Sequence, residues 1–362
     1  GFVEQIRTNT SLIRRRLKTP RLRIEEFTIG ALTKTSVEIM YIKGIANEKV
    51  VEEVRRRLNR IQTDSILESG YIEEFIEDAP FSPFSTIMRT ERPDNVTGQL
   101  LEGRVAIITD NTPFVLTVPV QLNSFLMATE DYYTKYHLAS FLRFIRAGAL
   151  FSSLVLPSLW VAIVSFHPEA LPTQLLLVVA AAKERVPFPS VVEAFLIELV
   201  FETLREAGLR LPRQIGSAIS IIGGVVLGDA AVRAGLLSTP MLVVVAFTGI
   251  ASFAIPDFAA ANSFRLLRFP LLVLAGFLGI YGLMLGIIII LLHMTSIRSF
   301  GVPFMATDSP LIISNLKDSL VRAPWWALDT RPRLIGMKEP IRQNKGMKPQ
   351  PPGDKDGDIE ND

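Results

Sequence analysis

Four glutamates, Glu193, Glu198, Glu202 and Glu206, sit in an otherwise apolar stretch, "EAFLIELVFETLREAG" (193–208). Carboxylates in such a setting can attract cations, pass protons or pair with arginine. Glu198, Glu202 and Glu206 recur at i, i+4 and i+8, so on a helix they form one stripe drifting ~40° per step. Glu193 lies ~140° away from Glu198. Phe195, Leu196, Leu199, Val200 and Leu204 cover much of the opposite side. An ionised carboxylate at membrane depth costs roughly 2.5–3.5 kcal/mol on insertion scales unless it meets water or a partner. The stripe is therefore expected to face a water-filled cavity or to lie at the interface. In a symmetric oligomer one acid per chain becomes a ring, the device by which cation pores attract ions. Glu193, Glu198, Glu202 and Glu206 are the candidate cation-path residues. Two other roles fit the same pattern: an amphipathic helix lying in the interface, and internal pairing of Glu202 with Arg205.

Other chemistry finds little support. There are no cysteines, so disulfides, thiolate catalysis and Cys-based metal sites are excluded. The three histidines, His137, His167 and His293, are far apart in sequence and do not make a metal site. The acids have no paired nucleophile or metal, so no enzyme and no cofactor is expected. A formal net charge of +2 is too balanced to point to nucleic acid.

The acidic helix needs a setting, and the apolar residues supply it. Hydrophobic residues make up 49% of the 362, concentrated in the middle of the chain. The expected layout is a soluble α/β domain over 1–140, a polytopic helical membrane domain over 141–297, and a cytoplasmic tail over 298–362 that is disordered after about 334. A span needs about 20 apolar residues for a core about 30 Å thick. Four segments qualify: Ala147–Phe166, 214–228, 239–256 and, most clearly, the uncharged Phe269–Leu292. The region 174–207 is a broken span or a re-entrant hairpin, giving four to six membrane segments in all. Lys/Arg placement, with Arg143 and Arg146 at the first span and Arg265 and Arg268 before the last, puts the front domain in the cytoplasm but leads to five crossings. The basic tail argues instead for a cytoplasmic C-terminus, which requires one re-entrant element.

In the front domain, "TSVEIMYIKGIAN" (35–47) alternates like a strand. Asn47 is placed to cap a helix whose Val50, Val51, Val54, Leu58 and Ile61 fall at helical spacing. Pro93 and Asp94 open a second helix. "RVAIITD" and "FVLTVPV" read as two strands, the second an edge strand because Pro119 lacks a donor. Arg55–Arg57 are expected on a solvated helix face. Small residues at i, i+4, Gly224 with Gly228 and Gly282 with Gly286, mark close helix packing. The chain opens on Gly1 in a polar stretch without a signal-peptide pattern and reads as the continuation of a longer N-terminal region.

A set of longer motifs carries a family resemblance: "GFVEQIRTNTSLIRRRL", "EDAPFSPFSTIMRTERPD", "GQLLEGRVAIITDNTPFVLTVP", "KERVPFP", "LREAGLRLP", "IGGVVLGDAA", "IPDFAAANSFRLLRFP" and "SIRSFGVPF", followed by "LKDSLVRAPWWALDTRPR". In order and density they resemble the A-subunit family of spore germinant receptors, the GerA family of GerAA type, from about residue 1 to 333. The resemblance implies a multi-pass protein of the spore inner membrane. It would work with a transporter-like B subunit that binds the nutrient and a lipoprotein C subunit. It also implies a homo-oligomer, in contact with membrane lipids, that conducts monovalent cations when germinant binds. SpoVAF, a close relative in the family, implies an alternative as a downstream ion-release channel. A non-conducting scaffold for receptor partners and a secondary transporter are further readings, the latter without an internal repeat to support it.

Overall fold

The computed structural model describes residues 1–210, 228–306, 316–332, 335, 339–344 and 346–349. The chain divides into two compact units. One holds Gly1–Pro80, Thr86–Arg143 and Ile297–Asp362; the other holds Phe81–Ser85 and Phe144–Ser296.

In the first unit, strands β1 (Leu22–Ile29), β2 (Thr35–Ile42), β3 (Met88–Thr90), β4 (Val105–Thr109) and β5 (Val115–Val118) form an antiparallel sheet in the order β1-β2-β4-β5-β3. Strand period explains its two-sided burial. On β2, Val37 and Ile39 point to one face, where they meet Val50, Val51, Val54 and Leu58 of helix α2 (Glu48–Arg60) and Ile72 and Ile76 of α3 (Ser69–Ile76). Met40 and Ile42 point to the other, against Ile6 and Ile13 of α1 (Ile6–Arg16) and Val96 and Leu100 of α4 (Pro93–Leu101). Each such fully buried side chain contributes roughly 1.5–3 kcal/mol. Asn47 caps α2, its side chain accepting from Lys49 N at 3.1 Å. Arg56 is exposed as expected, but Arg55 pairs with Glu25 (2.6 Å) and Arg57 with Asp78 (2.6 Å). The edge-strand reading of 114–120 does not hold. β5 lies between β4 and β3, and Pro119 falls just past its last residue, where its missing donor is harmless.

The C-terminal segment completes this unit. β6 (Arg298–Ser299) and β7 (Val302–Pro303) form a hairpin whose two linking residues, Phe300 and Gly301, have φ of 48° and 84°. Both positive, they match the primed hairpin turn. A bulky residue rarely takes such a φ. Phe300 is held there by burial in the α2/α3 core, by the Arg57 guanidinium 4.2 Å from its ring centre, and by donation from its N–H to Asp78 Oδ2 at 2.5 Å. Ser299 Oγ accepts from Val120 N (2.9 Å) and donates to Thr86 O (2.6 Å).

The second unit is helical: most of α6 (Tyr136–Phe166), then α7 (Thr173–Lys183), α8 (Ser190–Arg210), α9 (Gly228–Arg233), α10 (Thr239–Phe253) and α11 (Phe258–Ser296). Among the described residues two helices, α6 and α11, are long and apolar enough to cross a membrane. The segment expected at 239–256 forms a 15-residue helix, about 22 Å long. The one expected at 214–228 lies outside the described residues apart from Gly228.

α11 is not one rod. Gly279 has φ 62° and ψ −143°, a non-helical conformation that glycine alone adopts readily. Beyond it the helix turns back. Gly286 packs against Leu271 and Gly282 against the Leu274 carbonyl, although a straight helix would separate these pairs by about 22 and 12 Å. Phe84 touches both ends, its ring 5.4 Å from Phe264 and 6.2 Å from His293. The uncharged run Phe269–Leu292, expected as the clearest single span, is thus the tip of a helical hairpin with arms 258–278 and 280–296.

Candidate functional site

The acids stand on α8, which is buried on one side by a core of Val161 from α6, Ala194 and Ile197 from α8 itself, Met241 and Val245 from α10, and Leu272 from α11. Gly249 admits Phe201, and Gly276 admits Val191, bringing α10 and α11 close to α8. Two of the four glycines singled out for packing, Gly282 and Gly286, act within the chain, between the arms of α11. Gly228 has room to spare: an added Cβ would meet Leu242 at an ordinary 3.7 Å. Gly224 lies outside the described residues.

The acids of the first half of α8 turn inward and the apolar residues turn outward. Phe195, Leu196, Leu199 and Val200 are exposed, whereas Glu193 and Glu198 are 0% and 1% exposed. That polarity suits a lipid-facing helix, because acyl chains solvate leucine as well as a protein core does. Glu193 Oε1 accepts from Ser238 N at 2.5 Å, joining α8 to the start of α10. Glu198 Oε2 accepts from Arg268 Nη1 at 2.6 Å, and both side chains are at least 98% buried. Glu202 lies 3.5 Å from Arg265 Nε and is about a quarter exposed. Glu206, mostly exposed, pairs with Arg210 at 2.6 Å on its own helix. Arg205 does not pair with Glu202, one of the two alternative roles of the pattern; its guanidinium stacks over Phe253 (4.8 Å) and Phe258 (5.8 Å). Exposure therefore rises along the stripe, from Glu198 through Glu202 to Glu206, while Glu193, off the stripe, is fully buried.

The first arm of α11 supplies the arginines. Arg265 and Arg268 are one turn apart, as are Glu202 and Glu198, and the pairing runs antiparallel: 268 with 198, 265 with 202. In sequence, Lys/Arg placement makes both arginines topology markers. The overlooked signal is the matched spacing of two acids and two bases on two apolar helices. The cluster is not fully satisfied. Among the described residues Glu198 Oε1, Arg268 Nε and Nη2, and Arg265 Nη1 are buried without a hydrogen-bond partner. A buried ion pair with spare polar atoms can hold two helices in register or exchange partners when they move; no described group of three or more acids and histidines could hold a metal ion.

Comparisons with known proteins cover the whole of this architecture. The family model for Bacillus/Clostridium GerA spore germination protein matches residues 1–334. Spore germination protein KA of Bacillus subtilis (strain 168) is 51% identical over 351 residues, 97% of this chain and 64% of that protein. The chain thus spans a little under two thirds of that relative's length. Spore germination protein B1 of the same organism is 42% identical over 95% of this chain and 71% of that one, and spore germination protein GerLA of Bacillus cereus is 37% identical over 96% and 71%. Among solved structures, the N-terminal domain of the A subunit of the Bacillus megaterium spore germinant receptor GerK3 is 58% identical, covering 33% of this chain and 94% of that one, with a TM-score of 0.28. With a family match along 334 residues, front domain and helical unit alike, the chain belongs to the Bacillus/Clostridium GerA spore germination protein family.

Proposed function

We propose that the chain is the A subunit of a nutrient germinant receptor. In this reading it oligomerises in the spore inner membrane, works with a transporter-like B subunit and a lipoprotein C subunit, and passes monovalent cations when germinant binds. One observation carries it: the family match and relatives up to 51% identical extend over the helical unit as well as the front domain. The acids of α8 are the cation-path candidates, with roles graded by their surroundings. Glu206, and Glu202 next to it, are the accessible members that copies of the chain gather around a wet axis. Glu193 and Glu198 hold the helix in place. The front domain and the C-terminal segment share one compact unit, which supports an even number of crossings in this reading. The hairpin at Gly279 supplies the reversal that charge placement called for. In this reading the chain is multi-pass with both ends cytoplasmic.

A second reading, a non-conducting scaffold, is favoured by the pairing of Glu198 and Glu202 with arginines of the same chain. Glu202→Gln, Glu206→Gln and the double change in assembled receptor separate the two. Conduction predicts slower monovalent-cation release at saturating germinant, most of all in the double variant. Unchanged release in all three, with normal assembly, leaves the scaffold.

A further inference from the structure

The first unit contains a cavity of about 50 Å³. Its walls come from two distant stretches: the end of α4 and the region of α5 (Leu122–Leu126), with Glu102, Arg104 and Gln121, and the C-terminal segment, with Lys317, Arg331 and Arg342. At roughly 10–15 Å³ per water, the space admits about three to five waters or one oxyanion group.

Its donors outnumber their acceptors. Arg104 is 3% exposed and donates through Nη2 to Ser124 Oγ at 2.7 Å, while its Nε and Nη1 have no acceptor among the described residues. Gln121, 4% exposed, leaves Nε2 in the same position. A buried donor without a partner is costly, and folded proteins keep few. The nearby acids do not make up the shortfall. Asp318 receives Arg143 Nη1 at 2.9 Å and the Tyr132 hydroxyl at 2.8 Å. Glu102 stands 3.8 Å from Arg104 and 3.7 Å from Arg342, too far for a hydrogen bond to either. Burial also pushes the Glu102 carboxyl above the usual carboxylate range, against the pull of both arginines. The lining carries four cations (Arg104, Lys317, Arg331, Arg342) against three acids (Glu102, Asp318, Asp329). Arg331 is fixed as a wall, donating to the carbonyls of Leu101, Glu339 and Ile341.

We propose that this cavity binds a small oxyanion of the phosphate or carboxylate class, held by Arg104 and Gln121 and enclosed by the cationic C-terminal segment. A negatively charged group with several lone pairs matches three buried donors better than water does. Because the walls are more than 190 positions apart in the chain, the ligand fastens the C-terminal segment to the front domain.

The test uses the purified full chain in detergent, with inorganic phosphate and with acetate, against chloride at equal ionic strength. Expected are saturable binding of at least one oxyanion and slower amide exchange over 316–332. Arg104→Gln should weaken binding about tenfold or more, the worth of a charged hydrogen bond. If Arg104→Gln fails to fold, Gln121→Leu, which removes one donor and no charge, should still weaken it several-fold. Phosphate binding without acetate binding narrows the ligand to phosphate-like groups. No saturable effect from either ion up to tens of millimolar means that the cavity holds water only, and overturns the proposal. Binding that is equal in wild type and both variants overturns it as well, by placing the ion elsewhere.

Discussion

Glu198 and Arg268 form the most consequential pair of side chains in the helical unit. Their charges are at least 98% buried and 2.6 Å apart, so the loss of either leaves the other stranded. Glu198→Gln or Arg268→Gln alone should each destabilise the chain by roughly 3–5 kcal/mol. The double change should recover a large part of that loss. Thermal unfolding of the four detergent-purified proteins measures this coupling; additive losses would show that the two act independently. A carboxylate in the first unit makes a pH-dependent contribution. Arg92, 2.9 Å from Asp94, holds that carboxyl well below the usual range, helped by the Tyr133 hydroxyl and Asn95 N. A depressed folded pKa adds stability that is complete above the unfolded value near 3.9 and fades as pH falls below it. Asp94→Asn should therefore cost about 1 kcal/mol at neutral pH, and the gap to wild type should narrow progressively as pH falls below about 4, closing only as pH passes through the depressed folded value. A gap that persists at low pH would mean that shape, not charge, is lost. At this scale the acids were legible in sequence, but their direction was not. Periodicity tells which residues share a face; in lipid the apolar face turns outward, so the usual assignment of faces inverts.

At the level of elements, the hairpin of α11 departs furthest from what the sequence suggests. Twenty-four uncharged residues (269–292) look like one span, because hydropathy carries no information about a reversal inside an apolar run. The reversal depends on Gly279, whose conformation costs other residues about 1–3 kcal/mol, and on the small faces of Gly282 and Gly286. The chain has no native cysteine, so a Leu271→Cys/Gly286→Cys variant is a clean probe. In the hairpin the pair should oxidise to an intrachain disulfide, seen as protection from maleimide labelling. On a straight helix the two positions stand about 22 Å apart and could not bond. Glycine packing gives a second contrast. Gly282→Val should destabilise by roughly 1–3 kcal/mol, since its added carbon overlaps the Leu274 carbonyl, whereas Gly228→Ala should be close to neutral. Equal effects would remove the distinction. Three of the five strands of the front domain, β2, β4 and β5, were readable in sequence, and Asn47 from its capping chemistry; β1 and β3 were not. Strand order was not readable, because Pro119 lies just past the ladder, where its missing donor says nothing about which strand is at the edge.

Over the whole molecule, the C-terminal segment matters more than its sequence suggests. The segment 298–362 reads as a cytoplasmic tail, yet Phe300 sits in the α2/α3 core and Ser299 bridges Val120 and Thr86. Those contacts join residues more than 170 positions apart, which no local pattern announces. They place the C-terminal segment in the same compact unit as the front domain, and the proposed topology has an even number of crossings. Cysteines introduced at Arg56 and at Trp326, both exposed, should react with a membrane-impermeant maleimide from the same side; reaction from opposite sides would break the parity. The proposed shared axis requires more than one copy of the chain, since a lone protomer keeps Glu198 and Glu202 on its own arginines. The most direct measurement is the number of chains per purified membrane assembly, by native mass spectrometry. Several copies arranged about an axis, with Glu206 of each cross-linking to its neighbours through an introduced cysteine, is the predicted result. A single copy per assembly would contradict a shared cation path.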